Sequence, residues 1–442
     1  MTVPRVLIVS PHFPPDSTAG THRARLIAPR LREHGWEPTV LTVDPRDYEG
    51  DLDPVLGQSV PADLRVIRAR AWPVRLTRPF GVGDLGLRAF DGLWREASHL
   101  LSHERFDALF ITIYPAYTAL LGPLLKKRFG VPFVLDYQDP WVGEWGLTVG
   151  PGANGQPDLR SRLARAVAGY LEPVALRAAD AVTAVSRGTY EPALQRNPRA
   201  RPVATAELPI GWDERDFEFL RAHPATARLI PTGDGLVHLA CIGTLPPTMH
   251  ASLRAFLTAL ARLRDRDPAR AGAIRVHFFG TSSLRSDRAP LGALPVAREL
   301  GVEGLVTEAP ARLNYFDALR ALDEATALLL LGTTEAHYTP SRMFTAMLSG
   351  RPLLAIYHAA SPATALLRRF GGPPAVYLIG FDNDRPASGC VDEIFDALAA
   401  LASRPAYGPA QVDRGVLAPA SATVLAGRLA GIFDRVSARR DA

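Results

Sequence analysis

Lysine is almost missing from this chain: Lys126 and Lys127 are its two lysines, and arginine supplies the rest of its 50 basic residues. With 45 Asp and Glu the formal charge is +5, and the isoelectric point is near 9.4. A GC-rich coding bias laid over a solvated surface accounts for such arginine. The competing reading is attraction to anionic substrates or a membrane surface. An arginine-rich arm and a base-stacking aromatic signature are both lacking, which excludes nucleic acid as a partner. Cysteine is scarce too. Cys241 and Cys390 form neither a disulfide framework nor a metal-like cluster, as expected in a reducing cytoplasm. No apolar run approaches the roughly 18 residues of a transmembrane helix, so any membrane contact is expected to be peripheral, at the inner face. The opening MTVPRVLIVSPHF turns polar too early for a signal peptide and reads as a first strand.

What remains is ordinary globular composition, 47% hydrophobic and 21% charged over 442 residues, enough for two cores. Short apolar runs alternate with helical patterns, the mark of parallel α/β sheets. Strands are predicted at Arg5–Ser10, Pro38–Val43, Leu64–Arg68, Ala108–Thr112, Pro132–Tyr137, Ala181–Ser186 and Val203–Leu208. Helices are expected near Thr21–Glu33, Leu85–Ser102, Ala116–Arg128 and Leu159–Ala179, the last kinked or split at Pro173. The pattern lapses at Pro209–Phe217 (PIGWDERDF), read as a turn-rich crossover. A second series of strands follows at Val237–Gly243, Arg275–Gly280, Leu305–Glu308, Ala327–Gly332, Pro352–Tyr357 and Ala375–Gly380. These patterns predict an N-terminal domain over 1–215 and a C-terminal domain over 216–420. The amphipathic segment within 421–442 is expected to pack back across the hinge.

One unit occurs twice: a strand, a loop, then a helix that starts near the loop tip. The first copy runs from RVLIVS through PHFPPDSTAGTHRA, the second from ALLLLG through TTEAHYTP into SRMFTAMLS. A helix N-terminus attracts anions, so two such units point to a phosphate-bearing substrate held between two lobes. In the first loop Gly20 permits close backbone approach, and Arg23 or Arg25 can neutralise phosphate. A single glycine there is not a G-x-G-x-x-G fingerprint, so no nicotinamide cofactor is specified. The run VPFVLDYQDPW carries Asp136, Tyr137, Gln138, Asp139 and Trp141 off the end of a strand, where ligands of parallel sheets sit. Asp139 there can orient or deprotonate a substrate hydroxyl, or simply cap a turn. In EAHYTPSRMFTAM, Thr339 reads as an N-cap with Pro340 at the first helical position, which exposes the amides of Ser341 and Arg342.

These motifs in this order resemble the family 4, retaining, GT-B glycosyltransferases. The matching stretches are the opening RVLIVSPHFPPDSTAGTHRARLIAPRLREHGWEPTVLTVDP, then PFVLDYQDPW, LRAADAVTAVS, ELPIGWDERDF, HLACIGTL and YTPSRMFTAMLSGRPLLA, spanning roughly residues 4 to 370. The resemblance implies two facing Rossmann-like domains with a nucleotide sugar mostly on the second and an acceptor mostly on the first. It implies metal-independent transfer without a cofactor, in which the leaving diphosphate receives the acceptor proton. Carried onto this sequence, Gly20, Arg23, Gly243, Thr244, Glu335, His337, Thr339, Ser341, Arg342 and Thr345 would bind the donor. His22, Tyr137 and Trp141 would meet the acceptor, and Asp139 would be catalytic. The acceptor is expected in envelope glycan or secondary-metabolite synthesis. A lipid-linked acceptor would account for the basic, aromatic stretch Arg65–Trp94.

Two departures from the family pattern stand out. Where the family places a ribose-binding glutamate, this chain has Thr345, and His337 takes the place of the glutamate before the helix. After the first strand of the second domain, GTLPPTMHASLR offers no lysine, and Arg254 comes too late. Two alternatives follow: a nucleotide-sugar epimerase or hydrolase on the same fold, for which His12, His22 and His337 are available, or a non-catalytic binding subunit.

Overall fold

In a computed structural model, the described residues are 3–50, 52–142, 159–224, 227–282, 289–336 and 342–438. The chain divides into one compact unit of Met1–Asp213 with Ala420–Ala442, and a second of Glu214–Pro419. Each is built on a wholly parallel sheet.

The first sheet contains β1 (Arg5–Val9), β2 (Glu37–Val43), β3 (Arg65–Ala69), β4 (Ala108–Thr112), β5 (Phe133–Tyr137), β6 (Ala181–Ala184) and β7 (Ala204–Glu207). Its spatial order is β3-β2-β1-β4-β5-β6-β7. The central strands β4 and β5 are buried at every position because helices cover both faces. The order reverses between β1 and β4, so the crevice at their carboxyl ends is where a ligand is expected in such a sheet.

The second sheet holds β8 (Val237–Ile242), β9 (Ile274–Phe279), β10 (Val306–Ala309), β11 (Ala327–Leu331), β12 (Leu353–His358) and β13 (Val376–Phe381), in the order β10-β9-β8-β11-β12-β13. Its reversal lies between β8 and β11. All of these strands fall on the apolar runs of the sequence. Val237–Leu239 through Phe278, Leu329 and Ile356 form one side of its core, together with the buried face of the helix His250–Arg266.

The helices depart from expectation where proline or tertiary packing intervenes. Pro29 has no N–H to donate, and the helix Thr21–Ile27 tightens into a 3-10 turn over Ala28–His34 that ends at Gly35 in the left-handed region. Pro173 does not split its helix, which runs unbroken from Leu159 to Ala178. A helix, Glu214–Ala222, begins within the stretch read as a turn-rich crossover. It is held by the Phe219 ring 4.5 Å from Phe316 and by the Tyr315 hydroxyl, which donates to Asp216 at 2.7 Å. Neither contact is visible in local sequence.

The closing helix Ala422–Ala438 packs on the first unit. Leu425, Leu429, Ile432, Phe433 and Val436 join Val6, Ile8, Trp36 and Phe110 in one buried cluster. Trp36 and Phe433 rings lie 5.2 Å apart, and Trp36 Nε1 donates to Asp434 at 3.0 Å. Each such fully buried side chain contributes about 1.5–3 kcal/mol, so the last helix is part of the core of a unit formed mostly by the start of the chain.

Candidate functional site

At the β1/β4 switch point of the first unit lies a cavity of about 460 Å³. Five separate connections supply its wall. His12, Asp16 and Thr18 follow β1, Tyr48 and Glu49 follow β2, and Asp84 and Arg88 belong to the start of the helix Leu85–His103. Tyr114 follows β4, and Asp139 follows β5.

The best-defined polar pair in this wall is His12 with Asp16. His12 Nδ1 lies 2.8 Å from Asp16 Oδ2, and the same oxygen accepts from Thr18 Oγ1 at 2.5 Å and Thr21 Oγ1 at 2.9 Å. Burial pushes the Asp16 carboxyl up. The hydrogen bond and charge of His12, with the two threonine hydroxyls, outweigh that and hold it below its ordinary value. An ionised Asp16 can only accept, so Nδ1 of His12 carries a proton, and in the neutral imidazole it is Nε2 that holds the lone pair. The imidazole is fixed further by Tyr48, stacked at 5.9 Å and 11°, and by Tyr114 at 5.5 Å. Tyr48 is itself anchored by donating to Pro11 O at 2.9 Å.

Two other carboxyls face the cavity without a salt bridge among the described residues, although His12 and Arg88 attract one of them, Asp84, through space. Asp84 caps its helix by accepting from Leu87 N at 2.9 Å, and burial pushes its pKa up. Desolvation also raises Asp139, although that residue as a whole stays exposed and is screened by water on its other side. By contrast Glu49 is paired with Arg78 and Arg88.

Several residues expected at a ligand are held elsewhere by the structure. Arg23 is 1% exposed. Its Nε donates to Asp136 at 2.9 Å, and its two terminal nitrogens donate to the carbonyls of Leu208 and Pro209. Asp136 also accepts from Thr183 Oγ1 at 2.7 Å. Arg23 is therefore a buried tie between the first helix and the sheet, closed off from a phosphate. Arg25 is buried as well and donates to His22 Nδ1 at 3.3 Å. Tyr137 points into the core, fully buried, with a hydroxyl that lacks a partner among the described residues. Burial drives its pKa well above the ordinary value. Trp141 is also core, edge-on to Tyr117 at 5.9 Å. A Cβ on Gly20 would overlap the Tyr114 ring, so packing against the cavity wall already requires glycine there. His22 is half-buried and outside the cavity lining.

Tyr48, Asp84 and Tyr114 were not among the residues singled out as the site, and His12 was named only for the epimerase or hydrolase alternative. The spacing of His12 and Asp16 in PHFPPD, just past a buried strand, was the available signal. Nothing local joined it to Asp84 or Asp139, which the sheet brings in from distant loops.

In the second unit, Gly243 follows β8 with φ +112, a conformation that favours glycine, and a Cβ there would overlap Arg342 Nη1. That guanidinium donates to Ile242 O. Arg342 and Gly243 thus meet at the carboxyl end of β8, with the half-buried Thr244 adjacent. Gly243→Ala is expected to displace the guanidinium and to destabilise the protein by at least the roughly 1–2 kcal/mol of a left-handed L-residue. An unchanged melting temperature would show that the arginine is not seated on that glycine. Thr345 turns its hydroxyl back to Arg342 O at 2.9 Å within the helix Arg342–Leu348. Glu335 is exposed, its amide donating to Thr333 Oγ1 at 3.2 Å. His337, Thr339 and Ser341 lie outside the described residues.

Residues 18–208, which carry most of the cavity wall, match the family described as glycosyl transferase 4-like domain. The first unit is a glycosyl transferase 4-like domain. The match agrees with the family 4 resemblance of the motifs, and the two parallel sheets give the chain the GT-B fold. No curated protein matches the chain significantly. Among solved structures, the chain is similar to the α,α-trehalose 6-phosphate synthase of Burkholderia multivorans. That match has a TM-score of 0.58 at 11% identity and covers 100% of this chain and 98% of that one. The N-terminal domain of Candida albicans trehalose-6-phosphate phosphatase follows at 0.57 and 13%, covering 98% and 97%. Anabaena HepE in complex with UDP-glucose gives 0.52 and 15%, covering 99% and 98%. At such identities the likeness concerns the fold alone.

No helix among the described residues of this glycosyltransferase-fold chain is long and apolar enough to cross a membrane.

Proposed function

We propose that this chain is a metal-independent hexosyltransferase that moves a sugar from a nucleotide-sugar donor to an acceptor hydroxyl, with retention at the anomeric carbon. The observation that carries this reading is the switch-point cavity of the glycosyl transferase 4-like domain, with its ordered His12–Asp16 pair and the carboxyl of Asp139. The acceptor occupies that cavity. Asp139 and the Nε2 lone pair of His12 accept from its hydroxyl. The nucleotide sugar is held by the second unit through Arg342 and the backbone at Gly243 and Thr244. The likeness to a HepE structure that holds UDP-glucose supports a nucleotide-sugar donor. With the Thr345 hydroxyl tied to its own helix, the ribose is read by other groups, and Glu335 is the nearest carboxylate in sequence.

The acceptor is part of an envelope glycan or a secondary metabolite, met in the cytoplasm or at the inner membrane face. A lipid-borne acceptor is supported by the exposed apolar side chains of Trp72, Leu76 and Phe80, at 56%, 55% and 84% exposure. Leu76 lies on the short helix Val74–Thr77, which also carries Arg75, and Trp72 and Phe80 flank it in sequence.

The His12–Asp16 pair favours a second reading of the stereochemistry. In that reading Nε2 removes the acceptor proton while the acceptor oxygen bonds to the anomeric carbon from the side opposite the leaving nucleoside diphosphate, which departs with the bonding pair and inverts the centre. The anomeric configuration of the product, read by proton NMR coupling constants, separates the two.

The donor assignment is tested by ligand-induced stabilisation. A nucleoside diphosphate at 100 times its Kd is expected to raise stability by about 2.7 kcal/mol. Arg342→Glu is expected to remove most of that gain. A screen of UDP, GDP, dTDP and ADP sugars in which none raises the melting temperature would overturn the donor site.

A further inference from the structure

The second unit contains another cavity, of about 530 Å³, with no part in the site above. It lies at the amino ends of β8, β11 and β12, where Leu236, Thr326 and Arg351 precede or begin those strands. Sugar-nucleotide sites of parallel sheets lie at the opposite, carboxyl ends. Five guanidiniums line this cavity, from Arg221, Arg228, Arg320, Arg351 and Arg404, against the carboxylates of Asp323 and Glu324.

The pairing around the cavity leaves positive charge unmatched. Arg320 is paired with Asp317 at 2.7 Å, and Arg351 with Asp323 at 3.3 Å. Glu324 turns inward to accept from the amides of Leu229 and Ile230 at 2.7 and 3.0 Å. Arg221, Arg228 and Arg404 have no carboxylate partner among the described residues, and Arg228 reaches only the Thr232 hydroxyl. Elsewhere in this arginine-rich chain exposed guanidiniums are commonly paired, as Arg254 is with Glu299 and Arg65 with Glu104.

Two further observations point to a ligand and not to a solvated surface. The Nε atoms of Arg320 and Arg351 are buried and lack a hydrogen-bond partner among the described residues. Such orphaned donors call for an explanation, and a bound anion that polarises and orders the guanidiniums is one. Arg404 stands after the helix Val391–Ala402 with φ +54. That position ordinarily takes glycine, because an L side chain is strained there. An arginine accepted at that backbone cost has a use for its side chain. The competing account is that Arg221 and Arg404 merely offset the negative ends of the helices they close. It leaves Arg228 and the two buried Nε atoms unexplained.

We infer that this cavity is a second anion site that binds a small phosphorylated molecule carrying two or more negative charges, separate from the donor site. The volume suits a metabolite, and arginine forks match phosphate oxygens.

Inorganic pyrophosphate is the probe, titrated calorimetrically into the full chain with and without saturating UDP. The expected result is a pyrophosphate site that persists under UDP and weakens as salt rises. Arg404→Gly removes a charge while relieving the backbone, so that variant should fold at least as well as the native chain. It and Arg221→Gln are each expected to weaken the persisting site about tenfold or more, the size of one charge-assisted hydrogen bond, with UDP affinity unchanged. If UDP does not bind at all, the donor reading fails, and the comparison of native chain with Arg404→Gly in pyrophosphate alone still decides this one. Pyrophosphate affinity equal in native chain and both variants, or no binding to the UDP-saturated protein, would overturn the proposal.

Discussion

Arg23→Met is expected to destabilise the first unit by about 3–5 kcal/mol, the usual result of removing one partner from a buried ion pair. Arg23 and Asp136 are 1% and 0% exposed, so water cannot replace the lost guanidinium. Asp136 would keep the Thr183 hydroxyl as its single side-chain donor, and the carbonyls of Leu208 and Pro209 would each lose theirs. The effect is a penalty for the stranded charge and not a measure of what the intact pair contributes. Arg23→Met combined with Asp136→Leu should therefore recover much of the loss, since well-packed apolar replacements of buried pairs are often neutral or better. Urea unfolding of the three variants measures both quantities. A loss below roughly 1 kcal/mol in the single variant would mean that Arg23 is not buried as described, and would return it to the candidates for phosphate binding.

Arg23 also marks the limit of what the sequence could show. In THRAR a helix carries His22, Arg23 and Arg25 on successive faces, and all three are compatible with a basic helix beside a phosphate loop. The face that meets the sheet is settled by Asp136, 113 positions away. Tyr137 was misplaced for a related reason. In an exposed antiparallel strand, alternation separates core from solvent, but β5 is buried on both faces. Period-two reasoning then cannot say which of Asp136, Tyr137 and Gln138 reaches a ligand. The central strands were legible because buried parallel strands demand unbroken apolar runs, while the edge strands β3, β7 and β10 mix in polar residues. The helix Glu214–Ala222 was not legible, since its charged sequence is stabilised by Phe316 and Tyr315 from another element. The cavity follows the same division. Its location beyond β5 could be inferred from the strand pattern, and Asp139 with it. Its composition could not, because His12, Asp84 and Tyr114 come from three connections that only the strand order draws together.

Replacement of the His12 imidazole or the Asp139 carboxyl is expected to lower turnover by about 10²–10⁴, the range for loss of a positioned acid or base. His12 is held by Asp16 through Nδ1, so Nε2 is the atom that meets the acceptor hydroxyl. His12→Gln retains a hydrogen-bonding side chain without a base, so its loss of turnover separates proton acceptance from orientation of the hydroxyl. Asp16→Asn should act in the same direction but more weakly. It leaves the imidazole in place and removes the charge that fixes its tautomer and orientation. Asp139→Asn keeps shape and hydrogen-bonding capacity, so lost turnover with nucleotide affinity held within a few-fold would assign its carboxylate to the acceptor. Cooperative melting must be retained in each variant, since Asp139 also precedes Pro140 at a turn and could serve only to shape it. Full transferase activity in Asp139→Asn would remove that residue from the site. Unchanged turnover in His12→Gln would leave proton acceptance to the departing diphosphate, as the retaining route requires.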